Sequence, residues 1–354
     1  METHSFSTAL PPLGQDVEYQ LVARLLQATP AVASQIAPID LVNLYVALKT
    51  KPLALLVGPA QSGKIAALRG LAQVLTDGDP FRCQILIGHP WWAKQSGNIA
   101  LCTEAQTRLN THKLIALLEE TWQPENAHRL CLAGLTRISP AEVSGYFSEI
   151  AAQIQTGAIT CLPSVHLDKP IPYPSNLLLV GTMDTADFAW MDEHLLAQAT
   201  VIRWPTRRGA IMPAPRGPEV SHVSQEASFE ALIRNARAAR RKLRWILKTP
   251  LLALRPLAQM KTLWKNHVDS PASVMLEDVL TYLANAWTAG GRGLFDPAPA
   301  INLGIALDLS IAQYCLPRAR LALQQSLRFR HKLAALLNNQ FPHSMALLTG
   351  WGGV

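Results

Sequence analysis

One junction constrains this chain more than any other. The run PLALLVG, 52–58, passes through AQSGK into IAALRGLAQVL, 65–75. A short apolar run ending in glycine reads as a strand buried on both faces, and the segment after it has helical periodicity. Between them, Gly58, Gly63 and Lys64 stand at the G-x-x-x-x-G-K spacing of a phosphate-binding loop. A strand that feeds directly into a helix needs a crossover to its next partner strand, which predicts a parallel sheet. In such loops a Ser or Thr hydroxyl after the lysine holds magnesium; here that residue is Ile65.

The rest of the N-terminal half repeats the alternation. VEYQLVARLLQA and IDLVNLYVAL, within 17–50, read as helices. QILIG (84–88), RLCLAGL (129–135), NLLLVGTM (176–183) and ATVIRW (199–204) read as strands, and HKLIALLEETW (112–122) as a helix. In SPAEVSGYFSEIAAQIQTG, Ser139 is a candidate N-cap, with Pro140 at the first helical position and Glu142 completing a capping box. The predicted architecture is α/β: a parallel sheet with helices on both faces over 17–205, after a tail at 1–16. Residues 206–228, rich in Pro, Gly and Ser, read as a linker or insertion. A smaller all-helical domain is expected over 229–354, interrupted by FDPAP at 295–299.

Hydrophobic residues make up 49% of the 354 and charged residues 16%, enough apolar material for packed cores and too little charge for a disordered chain. Cys83, Cys102, Cys131, Cys161 and Cys315 are odd in number and form no C-x-x-C pair. That pattern argues against a disulfide framework or zinc knuckle and for reduced thiols in a cytoplasmic protein. The N-terminus lacks a basic segment followed by an apolar run, so no signal peptide is expected, and no stretch has the length of uninterrupted apolar residues that a membrane helix needs.

The charge is concentrated. Ten Lys and Arg residues and no acid lie between Glu230 and Asp269, so against a total of +7 the remaining chain is net −3. Arg234, Arg237, Arg241, Arg244 and Lys248 are spaced to share one helix face. Three readings stay open for that face: nucleic-acid backbone phosphates, an acidic surface on a neighbouring subunit, or plain solvation. Aromatic interleaving is thin, with Trp245 and Trp264 alone. Trp91 and Trp92 read as packing residues.

The stretches RLCLAGLTRISPAEVSGYFSEIAAQIQTG and IPYPSNLLLVGTMDTADFAWMDEHLLAQATVIRW resemble the AAA+ domain of McrB-type restriction NTPases. That family reads approximately L-I-L-D-E-M-N-R, then a Y-F helix, then I-P-x-N-L-x-x-x-G-T-x-N and L-D-R-A-x-V-I. The likeness spans about 17–205 and extends weakly to 305–321, similar to the family's helical lid. It implies an AAA+ P-loop fold binding ATP or GTP through Gly58, Pro59, Ala60, Gln61, Ser62, Gly63, Lys64 and Ile65. It also implies thinned chemistry. By this alignment Ala133 takes the place of the Walker B aspartate and Gly134 that of the catalytic glutamate. Asp184 stands for the sensor asparagine, and Ala197 and Gln198 for the Asp and Arg of L-D-R-A. Arg137 is retained and is a candidate for acting in trans on a neighbour's nucleotide; Arg292 is a weak candidate for a second sensor.

Phosphoryl transfer rests on positioning and charge stabilisation, and each good electrostatic element lost costs about 10²–10³ in rate. The expectation is therefore a degenerate module: nucleotide held weakly or not at all, without protein-ligated magnesium, and without turnover. Such a subunit would serve as scaffold or regulator in a homo- or hetero-oligomer of AAA+ subunits, in a defence or nucleic-acid-processing setting, with no membrane partner. Two alternatives remain: a nucleic-acid-binding module using the basic face, and an active NTPase with relocated carboxylates such as Asp187, Asp192 and Glu193.

Overall fold

The computed structural model describes residues 16–28, 36–87, 109, 112–138, 174–184, 199–204, 223–234, 254–268 and 272–350. Five strands form one sheet: β1 (Leu53–Val57), β2 (Cys83–Ile87), β3 (Cys131–Thr136), β4 (Leu177–Met183) and β5 (Thr200–Arg203). Every pairing is parallel, in the order β2-β3-β4-β1-β5. β1, β3 and β4 are buried at every residue, which is why they read as continuous apolar runs rather than alternating ones.

Strand alternation sorts the side chains into two cores. Leu53, Leu55 and Val57 join Cys131, Ala133 and Leu135 on one face, under Leu114, Leu117 and Leu118 of a helix at 112–121. Ala54, Leu56, Leu132, Leu178 and Val180 face the other way. There they meet α1 (Val17–Ala28), α2 (Pro38–Thr50) and α3 (Lys64–Thr76). With the helix at 112–121 taken as α4, helices lie on both faces.

The C-terminal half is helical: α5 (Gln225–Phe229) running into a π-helical turn (Glu230–Arg234), α6 (Arg255–Lys265), α7 (Ala272–Asn285) and α8 (Pro299–Ser310). A second π-helical turn (Ile311–Cys315) leads into α9 (Leu316–Gln325), followed by α10 (Leu327–Leu337) and α11 (Pro342–Gly350). These helices do not bury a core of their own. Val279, Tyr282, Leu283, Ile311 and Tyr314 belong to the same hydrophobic cluster as α1–α3 and one face of the sheet. The stretch Pro299–Gln325 is long and apolar enough to cross a membrane by length and composition, but 67% of its most apolar window is buried inside the protein.

A polar seam runs through this shared core. The Lys49 ammonium of α2 pairs with Glu18 of α1, both side chains almost fully buried, and donates to the carbonyls of Asn285 (3.1 Å) and Trp287 (3.4 Å). Asn285 Nδ2 donates back to the Lys49 carbonyl at 3.1 Å. Lys51 and Arg318 both pair with Asp278 of α7.

Two predicted boundaries move. Asp16 is not tail: its carboxylate accepts from the Tyr19 N–H of α1 (3.2 Å) and the Thr288 hydroxyl (2.7 Å). The expected linker ends before 223, because Ser224 caps α5, accepting from Ala227 N–H at 3.2 Å, and Val223 is buried. Residues 206–222, the capping box at Ser139, Trp91 and Trp92 lie outside the described residues.

Candidate phosphate cradle and adjoining cavity

The chain leaves β1 toward the β2 edge of the sheet, and it leaves β4 across β1 to reach β5. Neighbouring strands whose connections depart in opposite directions open a crevice at their carboxyl ends, the usual ligand position in such sheets. The loop after β1 and Asp184, the residue after β4, stand at that point.

Local packing fixes the loop. Gly58 has no room for a side chain, since a Cβ there would lie 2.3 Å from the Trp204 carbonyl oxygen. The buried Trp204 indole at the end of β5 donates from Nε1 to the Ser62 carbonyl at 2.9 Å, pinning the loop from beneath. Gln61 (φ 61°) and Gly63 (φ 87°) take left-handed conformations, and Gly63 leads into α3. Backbone of this kind turns successive N–H groups toward one concavity, and a helix N-terminus adds its dipole. Among the described residues, the N–H groups of Gln61, Gly63, Lys64 and Ile65 donate to no protein acceptor. Pro59, Ala60 and Gln61 are exposed.

Lys64, 7% exposed, folds back onto its own loop. Its Nζ donates to the carbonyls of Gly58 (2.5 Å) and Pro59 (2.6 Å), lies 3.3 Å from Ser62 Oγ, and pairs with Asp184 Oδ1 at 3.7 Å. Burial lowers the ammonium from its ordinary pKa, and the Asp184 carboxylate opposes that shift. All three N–H donors are therefore engaged, and an incoming phosphate must displace one of their partners.

The strand register corrects the alignment at Ala133 and Gly134. Ala133 is level with Leu179 of β4, which is level with Leu53 at the start of β1. It lies four residues short of Val57, about 13 Å along the strand, inside the closed core. Gly134 faces α3, where Leu68 Cδ2 would lie 2.6 Å from an added Cβ. Neither position reaches the carboxyl edge. The β3 residues that do are Thr136 and Arg137: Arg137 N–H donates to Thr182 Oγ1 at 2.9 Å. The edge of β3 still carries no acid, since Thr136 is followed by Arg137 and Ile138. Arg137 is exposed, with a left-handed φ of 58°.

A cavity of about 530 Å³ adjoins the loop and shares Gly58 and Pro59 with it. Its other walls include Asp40 and Asn43 of α2, Arg203 of β5 and Trp204 just after it, Ala312 and Gln313 of the second π-helical turn, and Pro342 and His343 of α11. Asp308 of α8 fixes the last wall, accepting from the His343 and Ser344 N–H groups at 2.8 Å each. Sequence reasoning missed Asp40, Asn43, Arg203, Trp204, Gln313 and His343 as site residues; the only signal was Trp204 closing the last predicted strand.

The remaining predicted residues fall elsewhere. Gln198, Ala197, Asp187, Asp192 and Glu193 lie outside the described residues, as do Arg237, Arg241, Arg244 and Lys248. Only the backbone of Arg234 is described, at the end of the first π-helical turn. The Arg292 guanidinium lies 5.7 Å from the centroid of the Tyr19 ring of α1, away from the residues that form the cradle and cavity walls. Among the described residues no three His, Cys, Asp or Glu side chains are grouped to hold a metal ion. Comparison with protein-family models, curated proteins and solved structures gives no match to the chain.

Proposed function

We propose that this chain is a nucleotide-binding module of the degenerate, McrB-like AAA+ kind, which holds a nucleoside triphosphate without hydrolysing it and acts as a scaffold or regulator within an oligomer. One observation carries the reading. The loop at 58–65 offers four backbone donors without acceptors among the described residues, and a lysine at the crevice between β1 and β4. The side chains around it supply neither a hydroxyl at Ile65 nor a carboxylate at the edge of β3.

The two halves of that observation have different consequences. Backbone N–H groups at a helix N-terminus are suited to phosphate oxygens, and Lys64 adds a positive charge once it leaves its loop carbonyls. Magnesium prefers oxygen ligands, and the alkyl chain of Ile65 offers none. Asp184, 53% exposed, is the carboxylate the structure brings to Lys64, and it pairs with the lysine. Bound nucleotide would supply charge and a conformational signal, while this chain's residues hold its phosphates.

The test is a titration of the purified chain with fluorescent ATP and GTP analogues, with and without magnesium, beside Lys64→Ala. Binding that is indifferent to magnesium and at least ten-fold weaker in Lys64→Ala is expected. Magnesium-dependent hydrolysis that disappears in Lys64→Ala would overturn the loss of turnover, and absence of binding under every condition would overturn the cradle.

A further inference from the structure

Two helices far apart in sequence carry most of the chain's net charge to one place. α6 contains Arg255, Lys261 and Lys265, and α10 contains Arg328, Arg330 and Lys332; neither helix has an acid. Against a total of +7, those six residues leave +1 for all the rest of the chain. Packing sets the helices side by side. Leu257, Met260 and Trp264 of α6 and Phe329, Leu333 and Leu337 of α10 enter one hydrophobic cluster. His267, just past α6, stacks on Phe329 with ring centroids 4.7 Å apart, so Lys265 and Arg328 stand at the same end of the pair. Arg330 is turned back, donating to the Leu323 carbonyl at 3.0 Å. Arg255, Lys261, Lys265, Arg328 and Lys332 are all exposed, and among the described residues none of the five has an ion-pair partner.

Neighbouring helices do little to neutralise this face. α8, α9 and α11 together contain one acid, Asp308, which is buried and engaged by the His343 and Ser344 N–H groups. Of the two acids of α7, Asp278 pairs with Lys51 and Arg318, which leaves Glu277. A solvated helix face gains from opposite charges four residues apart. Here Lys261 and Lys265, and Arg328 and Lys332, are like charges at that spacing, which weakens each helix. Arg328 also lies in the first turn of α10, at the positive end of the helix dipole, where a cation is disfavoured. An anionic partner removes that repulsion. Its class follows from what lies between the cations. The exposed residues of α6 and its end include Gln259, Thr262 and Asn266, side chains that hydrogen-bond to phosphate oxygens. Leu327 is the single large apolar side chain exposed on either helix, whereas the cores of protein interfaces are poor in Lys and rich in aromatic residues.

We propose that the outward faces of α6 and α10 form a docking surface for nucleic acid, held through its backbone phosphates by Arg255, Lys261, Lys265, Arg328 and Lys332 without reading of the bases. The surface owes nothing to the cradle at 58–65, which is built from other elements.

The experiment is fluorescence anisotropy of a labelled mixed-sequence DNA duplex of about 20 base pairs, titrated with the purified chain at about 50–200 mM salt. Each neutralised phosphate contributes about 0.9 to the fall of log K with log salt, so five contacts give a slope of about −4.5. The combined variant Lys261→Gln, Lys265→Gln, Arg328→Gln and Lys332→Gln should bind at least about ten-fold more weakly at 50 mM salt, with a slope near −1. Should it melt early, Lys265→Gln alone takes its place, with a slope shallower by about one. Lys113→Gln, on the helix under the other face of the sheet, is the control and should change neither quantity. No binding by wild type at 50 mM salt overturns the proposal, as does an affinity and slope that survive in the folded variant. Self-association of wild type that the combined variant abolishes, with DNA affinity unchanged, would make the face a contact with a second copy and overturn it too. Nucleotide binding should be the same in wild type and variant, so failure here leaves the cradle standing.

Discussion

Neutralising Asp184 should tighten triphosphate binding. The carboxylate lies 3.7 Å from Lys64 Nζ and is 53% exposed, while the lysine is 8% exposed. A unit pair at that separation is worth about 1 kcal/mol at the dielectric of water and about 4 kcal/mol at an effective dielectric of 20. Exposure of Asp184 places the pair near the lower figure. A phosphate held by Lys64 would also sit within about 7 Å of the carboxylate, and a charge near −2 at that distance adds about 1 kcal/mol of repulsion. Asp184→Asn removes both, about 2 kcal/mol, or about 30-fold in Kd. The assay is isothermal titration with tripolyphosphate and with ATP, free of magnesium, at about 50 and 300 mM salt. The gain should shrink at the higher salt, because exposed charges are screened. The substitution also places an asparagine where the resemblance to the McrB-type family implies one. Unchanged or weaker binding by Asp184→Asn would refute the reasoning, since it would make the carboxylate a support for the ligand rather than its competitor.

Two further outcomes follow from the geometry. Ala133→Asp, which would restore the Walker B acid by alignment, puts a carboxylate into a fully buried mid-sheet position, so it should cost about 4 kcal/mol or more and abolish folding at neutral pH; a soluble variant melting at the wild-type temperature would refute the register. Lys51, whose pKa burial lowers from 10.5 to about 8, is harder to protonate when folded, so its contribution to stability should rise with pH between those values by at most about 1.4 kcal/mol per unit; a wild-type minus Lys51→Met difference in urea unfolding that stays flat across that window would count against it.

The strands were legible in the sequence because each is buried on both faces and therefore uninterrupted: PLALLVG, QILIG, RLCLAGL, NLLLVGTM and ATVIRW each contain or overlap an observed strand. The loop was legible from its glycines, and both have structural causes, the Trp204 carbonyl against Gly58 and the left-handed backbone at Gly63. Register was not legible. Parallel strands meet over long crossovers, and an apolar run does not say which of its residues is level with a neighbour's end, so Ala133 was placed at the edge when it lies near the start. The cavity was not legible either. Asn43, Arg203, Gln313 and His343 come from four elements far apart in sequence, and each alone reads as an ordinary polar residue of its element.

The buried seam of Glu18, Lys49 and Asn285 bears on motion. In the family the chain resembles, the helical part is a lid; here hydrogen bonds run from Lys49 of α2 to the Asn285 and Trp287 carbonyls and from Asn285 back to the Lys49 carbonyl, and Lys51, just past α2, pairs with Asp278 of α7. Rocking the two parts apart without admitting solvent breaks the Lys51–Asp278 pair, whose side chains are 8% and 15% exposed, at about 3–5 kcal/mol. Admitting solvent instead exposes Val279, Tyr282 and Leu283, at about 1.5–3 kcal/mol each. By either route the open form is populated at about one part in 150 or less. The helical half is a fixed wall in the dominant state, and a nucleotide entering the cavity would change the protein's state through the loop, by drawing Lys64 off its carbonyls, rather than by swinging a domain.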